Sequence, residues 1–218
     1  MIEIENITKT FTTGELVTPI ENISLKVEEG TIMTISGESG TGKSTLLMII
    51  GGLLKPTEGR VIIEGKDFWK ESDEEISRIR SKIFGYLFQS SVMIKALTIG
   101  ENIQFASEVA GNKIEMKEIK DLLENLGIED KINSLPHTLS GGQRRRAMLA
   151  VNYGRNPKVI IADEPTNDLD SFWKDKILEV FQDWKREGKS IVLASHDPEV
   201  ERLGDIRYII EDNKLKRV

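Results

Sequence analysis

The chain has 218 residues, with 30 Lys+Arg against 36 Asp+Glu, a formal net charge of −6, and 39% hydrophobic residues. That length suits one α/β domain with a sizeable core, the composition excludes disorder, and the acidic balance argues against a nucleic-acid-coating protein. With no cysteine and only two histidines, the sequence has no disulfides, thiolate metal sites, cysteine nucleophiles or His-rich metal sites.

The opening MIEIENITKT lacks the basic start and apolar stretch of a secretory signal. Ile2, Ile4 and Ile7, then Ile20, Ile23, Leu25 and Val27, alternate with polar residues. This predicts two half-buried antiparallel strands with a turn near Thr13-Gly14-Glu15. From Thr31 the texture changes to short, nearly continuous apolar runs: TIMTIS, KIFGYLF, VIIA and SIVLAS. Such runs fit a parallel sheet covered on both faces, with helices as the crossovers. One helix is expected over residues 44–54. Its apolar run, 46–54, is interrupted by Gly51 and Gly52 and falls far short of the roughly 20 residues of a membrane span. Between Gln89 and Asn156 there is no strand-like run, and Ile119, Leu122, Leu123 and Leu126 recur at helical spacing before Gly127. This stretch reads as a mainly helical insertion (residues 89–156) in a β/α core (1–88 and 157–218). RYIIEDNKLKRV closes the chain as a hairpin. The expectation is one cytoplasmic α/β domain, 1–218.

Gly37-Glu38-Ser39-Gly40-Thr41-Gly42-Lys43-Ser44-Thr45 fits G-x-x-x-x-G-K-[ST] between a strand and a helix. Glycines let the backbone curl until its N–H groups converge on phosphate oxygens, and the following helix adds its positive N-terminal end. Lys43 is placed to reach the β- and γ-phosphates and the Ser44 hydroxyl to coordinate Mg²⁺. VIIADE (159–164) is the expected partner, a buried strand with two carboxylates at its C-terminal end, where open α/β sheets bind ligands. Asp163 is expected in the Mg²⁺ shell and Glu164 as the general base for the attacking water. Leu139-Ser140-Gly141-Gly142-Gln143 contains an S-x-x-Q capping box opening a helix, a second anion-binding terminus. One nucleotide in a monomer hardly needs both, whereas two copies head-to-tail would give each nucleotide one of each.

With these motifs in order, the sequence resembles the ATP-binding-cassette (ABC) ATPases over essentially its whole length. Its nearest likeness is to stand-alone cassettes of the lipoprotein-release, macrolide-export and bacitracin-type peptide-export branch. The likeness rests on GESGTGKSTLL, GGLLKPTEG, RSKIFGYLFQ, LTIGENI, LSGGQ and ADEPTNDLD. It implies a P-loop NTPase (RecA-like) core with an N-terminal antiparallel β subdomain and an inserted helical subdomain. It further implies that Gln89 is the Q-loop glutamine and a metal ligand with Ser44 and Asp163. Asn167-Asp168-Leu169-Asp170 would form the D-loop that meets the opposite subunit, His196 would contact the γ-phosphate, and Phe11 would stack on adenine. LSGGQ would be the signature that binds the opposite subunit's nucleotide.

Three departures stand out. Asn167 replaces a more common Gly, though Asn also tolerates unusual backbone angles. Arg144-Arg145-Arg146 follows the signature where Gln, Gln and Arg are usual. Phe172-Trp173 after the D-loop is atypical and fits either an interface or packing. Three successive helix residues point about 100° apart and cannot form one stripe for DNA, so the arginines are expected at a charged helix start facing the nucleotide or a permease.

The resulting expectation is an ATPase that closes as a homodimer around two MgATP, with Lys43, Glu164 and His196 as catalytic groups. It would drive a separate membrane permease for a peptide, lipoprotein or hydrophobic drug. It would contact no nucleic acid, lie on the inner membrane face, and touch the bilayer only through that permease. The alternative is a non-transport cassette that switches a membrane-bound cell-wall or division regulator. DNA-maintenance ATPases split the cassette with long coiled coils, and no sustained heptads occur here.

Overall fold

The computed structural model describes residues 1–12, 14–88, 93–167 and 169–218. β1 (Ile2–Phe11) and β2 (Val17–Val27) pair antiparallel, Ile2 opposite Val27 and Phe11 opposite Val17, as the alternation predicts. Thr13, in the expected turn, lies outside the described residues. β4 (Glu58–Ile63) and β5 (Lys66–Asp67) extend this sheet to the order β2-β1-β4-β5. The alternation in β4 is too short to announce a strand: only Val61 and Ile63 are buried in it.

The second sheet has the order β10-β9-β3-β8-β7-β6. Its parallel members include the four apolar runs: β3 (Ile32–Ser36), β6 (Phe84–Leu87), β7 (Val159–Asp163) and β8 (Ser190–Ala194). β9 (Ile206–Glu211) lies parallel to β3 and forms the terminal hairpin with β10 (Lys214–Arg217). The apolar runs lack alternation because both faces are covered, and their residues divide by parity. Met33, Ile35, Ile161 and Val192 enter the core shared with the antiparallel sheet, whereas Ile32, Ile160, Ile191 and Leu193 enter the core shared with the helical insertion.

α1 (Lys43–Ile50) packs Leu46, Leu47, Ile49 and Ile50 into the first of these cores. It stops short of the expected residue 54 because Gly52 takes φ +66°, and a Cβ there would sit 2.8 Å from the Phe68 ring. α2 (Asp73–Ile83) is capped by Ser72 and buries Ile76, Ile79 and Ile83 on one face. The insertion holds α3 (Ile99–Val109), α4 (Met116–Asn125) and α5 (Gly141–Arg155), with no strand among its described residues. α6 (Ser171–Arg186) and α7 (Pro198–Arg202) complete the core. No helix among the described residues is long and apolar enough to cross a membrane. In the ladders Ile35 and Asp163 both fall opposite Ala194, so the loops after β3, β7 and β8 leave the sheet at one edge.

Candidate nucleotide site

The loop after β3 wraps tightly because its glycines occupy left-handed backbone, φ +83° at Gly40 and +98° at Gly42. A Cβ on Gly42 would come within 2.6 Å of the Pro19 carbonyl, so glycine alone fits where β2 meets the loop. The Thr41 hydroxyl donates to Glu38 O at 2.9 Å, and the buried Lys43 Nζ donates to the carbonyls of Gly37 (2.7 Å) and Glu38 (2.8 Å). The ammonium is thus laid along the loop at the start of α1. A cavity of about 290 Å³ opens there, lined by Pro19, Ser39, Gly40, Lys43, Ser44 and Asp163 among others. A larger groove of about 800 Å³ lies between α4, α5 and α6, lined by charges of both signs, Lys176, Glu179, Asp183, Arg186 and Glu187, among apolar residues.

Asp163 ends β7 and accepts from Ser44 Oγ at 2.5 Å. Burial pushes the Asp163 carboxyl above the usual range and the neighbouring Glu164 adds to this, against the Ser44 hydroxyl, Lys43 and Arg145, which pull it down. A hydroxyl and a carboxylate side by side form an oxygen donor set suited to Mg²⁺, which takes one or two protein ligands beside substrate phosphates.

Glu164 leaves the strand at φ +46°, its N–H held by Ala194 O at 2.8 Å. Its two carboxylate oxygens have separate partners. Ser195 Oγ donates to Oε2 at 2.8 Å, and His196 Nδ1 lies 2.8 Å from Oε1. An ionised carboxylate only accepts, so facing one the imidazole carries a proton on Nδ1. Ser195 is fully buried and in turn accepts from Asp197 N at 3.1 Å.

Ser140 is the N-cap of α5: its Oγ accepts from Gln143 N (3.2 Å) while Gln143 Oε1 accepts from Ser140 N (3.0 Å). The expected capping box is therefore formed. Leu139 anchors it from the core, and Ser140 and Gly141 are exposed. None of residues 139–143 is among those lining the 290 Å³ cavity, so the two helix termini do not meet within one chain.

After Glu164, Asn167 N donates back to Glu164 O (3.3 Å), Leu169 packs against the core, and Asp170 caps α6 by accepting from Trp173 N (3.0 Å). Gln89 and Asp168 lie outside the described residues. Phe11 ends β1 half-buried, with Lys9 Nζ 5.2 Å from its ring centroid, and does not line the cavity.

The arginines are more buried than a charged helix start implies: Arg145 and Arg146 are only 7% and 8% exposed, and the Arg145 charge acts on Asp163 at the nucleotide cavity. Arg146 Nη1 donates to Leu126 O (2.8 Å) and Gly127 O (3.1 Å), and its guanidinium lies 3.8 Å from a Trp173 ring centroid. Burial pulls its pKa down, with Asp170 opposing. Helix α5 is covered all round at that level, so the Arg146 guanidinium turns inward onto carbonyls and an aromatic face. Trp173 is accordingly packing, whereas Phe172 stays 60% exposed. Sequence reasoning missed Pro19, Ser195, Lys174 and Asp197. The last two form an ion pair of 2.7 Å.

The family model described as ABC transporter matches residues 20–167. The ABC transporter ATP-binding protein YtrE of Bacillus subtilis (strain 168) is 38% identical over 224 residues, covering 99% of this chain and 97% of that protein. The macrolide export ATP-binding/permease protein MacB of Bartonella henselae is 36% identical over 99% of this chain, which spans 33% of that longer protein. A dimeric structure of a post-hydrolysis state of the ATP-binding cassette MJ0796, from Methanocaldococcus jannaschii, bound to ADP and Pi, superposes with a TM-score of 0.90. It is 35% identical and covers 100% of this chain and 97% of that one.

Proposed function

This chain belongs to the ABC transporter family as an ATP-hydrolysing subunit, and from that premise we propose that two copies close head-to-tail around two ATP molecules and drive a separate permease. The observation that carries the reading is the pair of anion-binding helix termini, at Gly42-Lys43 and at Ser140-Gly141, which do not share a cavity within one chain. A second copy supplies what each lacks. The dimeric form of the related cassette MJ0796 supports the same arrangement.

In this reading the loop Gly37 to Thr45 wraps the phosphates through its N–H groups and Lys43 neutralises their charge. Ser140, Gly141 and Gly142 of the other copy meet the γ-phosphate. Ser44 and Asp163, with Gln89, would hold Mg²⁺, which would supply charge neutralisation for the phosphates. Glu164 accepts a proton from the attacking water as the bond from γ-phosphorus to the bridging oxygen breaks. Its fixed carboxylate needs no reorganisation at that moment. His196 donates from Nδ1 to Glu164, which leaves Nε2 as the ring atom that can face the γ-phosphate. Closure then depends on the γ-phosphate and hydrolysis releases it. The chain works at the inner membrane face and drives efflux or extraction of a peptide, lipoprotein or hydrophobic drug, a reading that the macrolide export proteins among its relatives support for the drug alone.

The test is Glu164→Gln. The variant should bind MgATP, lose turnover by at least a hundredfold, and run as a dimer on size exclusion only when MgATP is present. A variant that stays monomeric under those conditions would count against the shared site.

A further inference from the structure

Glu164 cannot serve as a base unless its carboxylate is held at a fixed angle, and the structure holds it from a distance. Ser195 has one hydroxyl hydrogen, and because its Oγ accepts from Asp197 N, that hydrogen goes to Glu164 Oε2. The position of Asp197 N is fixed by its own side chain. Oδ1 accepts from Glu199 N at 2.9 Å, which caps α7, and Oδ2 lies 2.7 Å from Lys174 Nζ. Lys174 also pairs with Glu199. It sits in the first turn of α6, where its N–H donates to Asp170 O, the end of the Asn167–Asp170 loop. The neighbouring Trp173 stacks on Arg146 and covers Gly127, so the same turn is tied to the signature helix α5.

We propose that Lys174 is a positioning residue for the hydrolytic base, acting through Asp197 and Ser195 to hold the Glu164 carboxylate. This rests on the reading of Glu164 as that base. Lys174 and Asp197 are each about one-fifth exposed, at 22% and 21%. An ion pair so placed adds little to stability, but it sets the geometry of the segment carrying Ser195 and His196. Without the ammonium, Asp197 and Glu199 face each other as like charges, and the Ser195 to Asp197 segment loses its tether to α6. Small displacements of a reacting group are costly, with about 1 Å able to cost a hundredfold in rate.

The experiment is steady-state ATP hydrolysis and nucleotide binding by the full chain carrying Lys174→Met, Lys174→Arg, Ser195→Ala, the Lys174→Met/Ser195→Ala pair, or Glu164→Gln. Expected for Lys174→Met is a 5- to 20-fold fall in kcat with KM and ATP affinity within twofold of the parent. Lys174→Arg should recover at least half of the parent kcat. The paired variant should be no more than twofold slower than Ser195→Ala alone, because both act through one chain of contacts. Parent-like kcat in Lys174→Met, a matching loss of nucleotide affinity, no recovery with Arg, or additive losses in the pair would each overturn the proposal. Turnover that survives Glu164→Gln would instead remove the base assignment, and the proposal with it.

Discussion

Asp163 shows how the site trades stability for readiness. Its carboxyl is pushed up, first by burial and then by Glu164 beside it. A native state that holds its proton to higher pH than the unfolded chain binds more protons between the two pKa values. Stability without nucleotide therefore falls as pH rises from the ordinary carboxylate range through the raised native value. Asp163→Asn keeps an oxygen for the Ser44 hydroxyl and removes the buried charge. It should raise the melting temperature of the nucleotide-free protein at pH 7–8 by about 1–4 °C, corresponding to roughly 1 kcal/mol or less. The stabilisation normally added by MgATP should largely disappear in the same variant. Thermal melts of both proteins at pH 4 and pH 8, with and without MgATP, check this. The predicted gain should shrink at the acid end, and an unchanged or lower melting temperature at pH 8 would contradict the burial argument.

At the scale of elements, legibility follows contiguity. The phosphate loop was readable because its glycines, Lys43 and Ser44 are consecutive, flanked by a strand and helix that declare themselves, and the Ser140–Gln143 box was readable because a cap is a local structure. Ser195, Asp197 and Lys174 were not, because Ser195 meets Glu164 only through the β7–β8 register, and Asp197 and Lys174 join that contact only through the packing of α6. Arg145 to Ala150 are buried without a break. A helix covered on all sides has no polar face for periodicity to reveal, so an expectation of a charged helix start facing the nucleotide or a permease gave no sign that Arg146 packs inward. The inward placement of Arg146 yields a prediction. Trp173→Ala removes the aromatic face from Arg146 and uncovers Gly127 at the junction of α5 and α6. It should destabilise the protein by about 1–2 kcal/mol, seen as a melting temperature lower by roughly 2–8 °C. Trp173→Phe, which keeps a ring, should lose about half as much. Chemical denaturation of the three proteins distinguishes these outcomes, and equal losses in the two variants would mean that the stack on Arg146 contributes nothing.

For the whole molecule the question is whether one chain can complete a site. A chain with Lys43→Ala spoils the phosphate-loop half of its own nucleotide site and leaves its Ser140 terminus intact; a chain with Ser140→Arg does the reverse. In either homodimer each composite site contains one damaged half, so both preparations should be inactive. Mixed in equal amounts, random pairing makes about half of the dimers heterodimers, and each of these has one intact site and one doubly damaged site. If the intact site turns over independently, roughly a quarter of the parent's sites, and hence about a quarter of its turnover, should return on mixing. A site contained within one chain would return nothing, because no subunit in the mixture is whole. The measurement is ATP hydrolysis across a titration of one variant into the other, with affinity tags on each to count heterodimers. A recovery that peaks at equal amounts and tracks the heterodimer fraction is the signature of a shared site. An activity that stays flat at zero while heterodimers form would mean that the Ser140 terminus serves its own chain's nucleotide, whereas turnover by the Ser140→Arg protein alone would place that terminus outside the hydrolytic site.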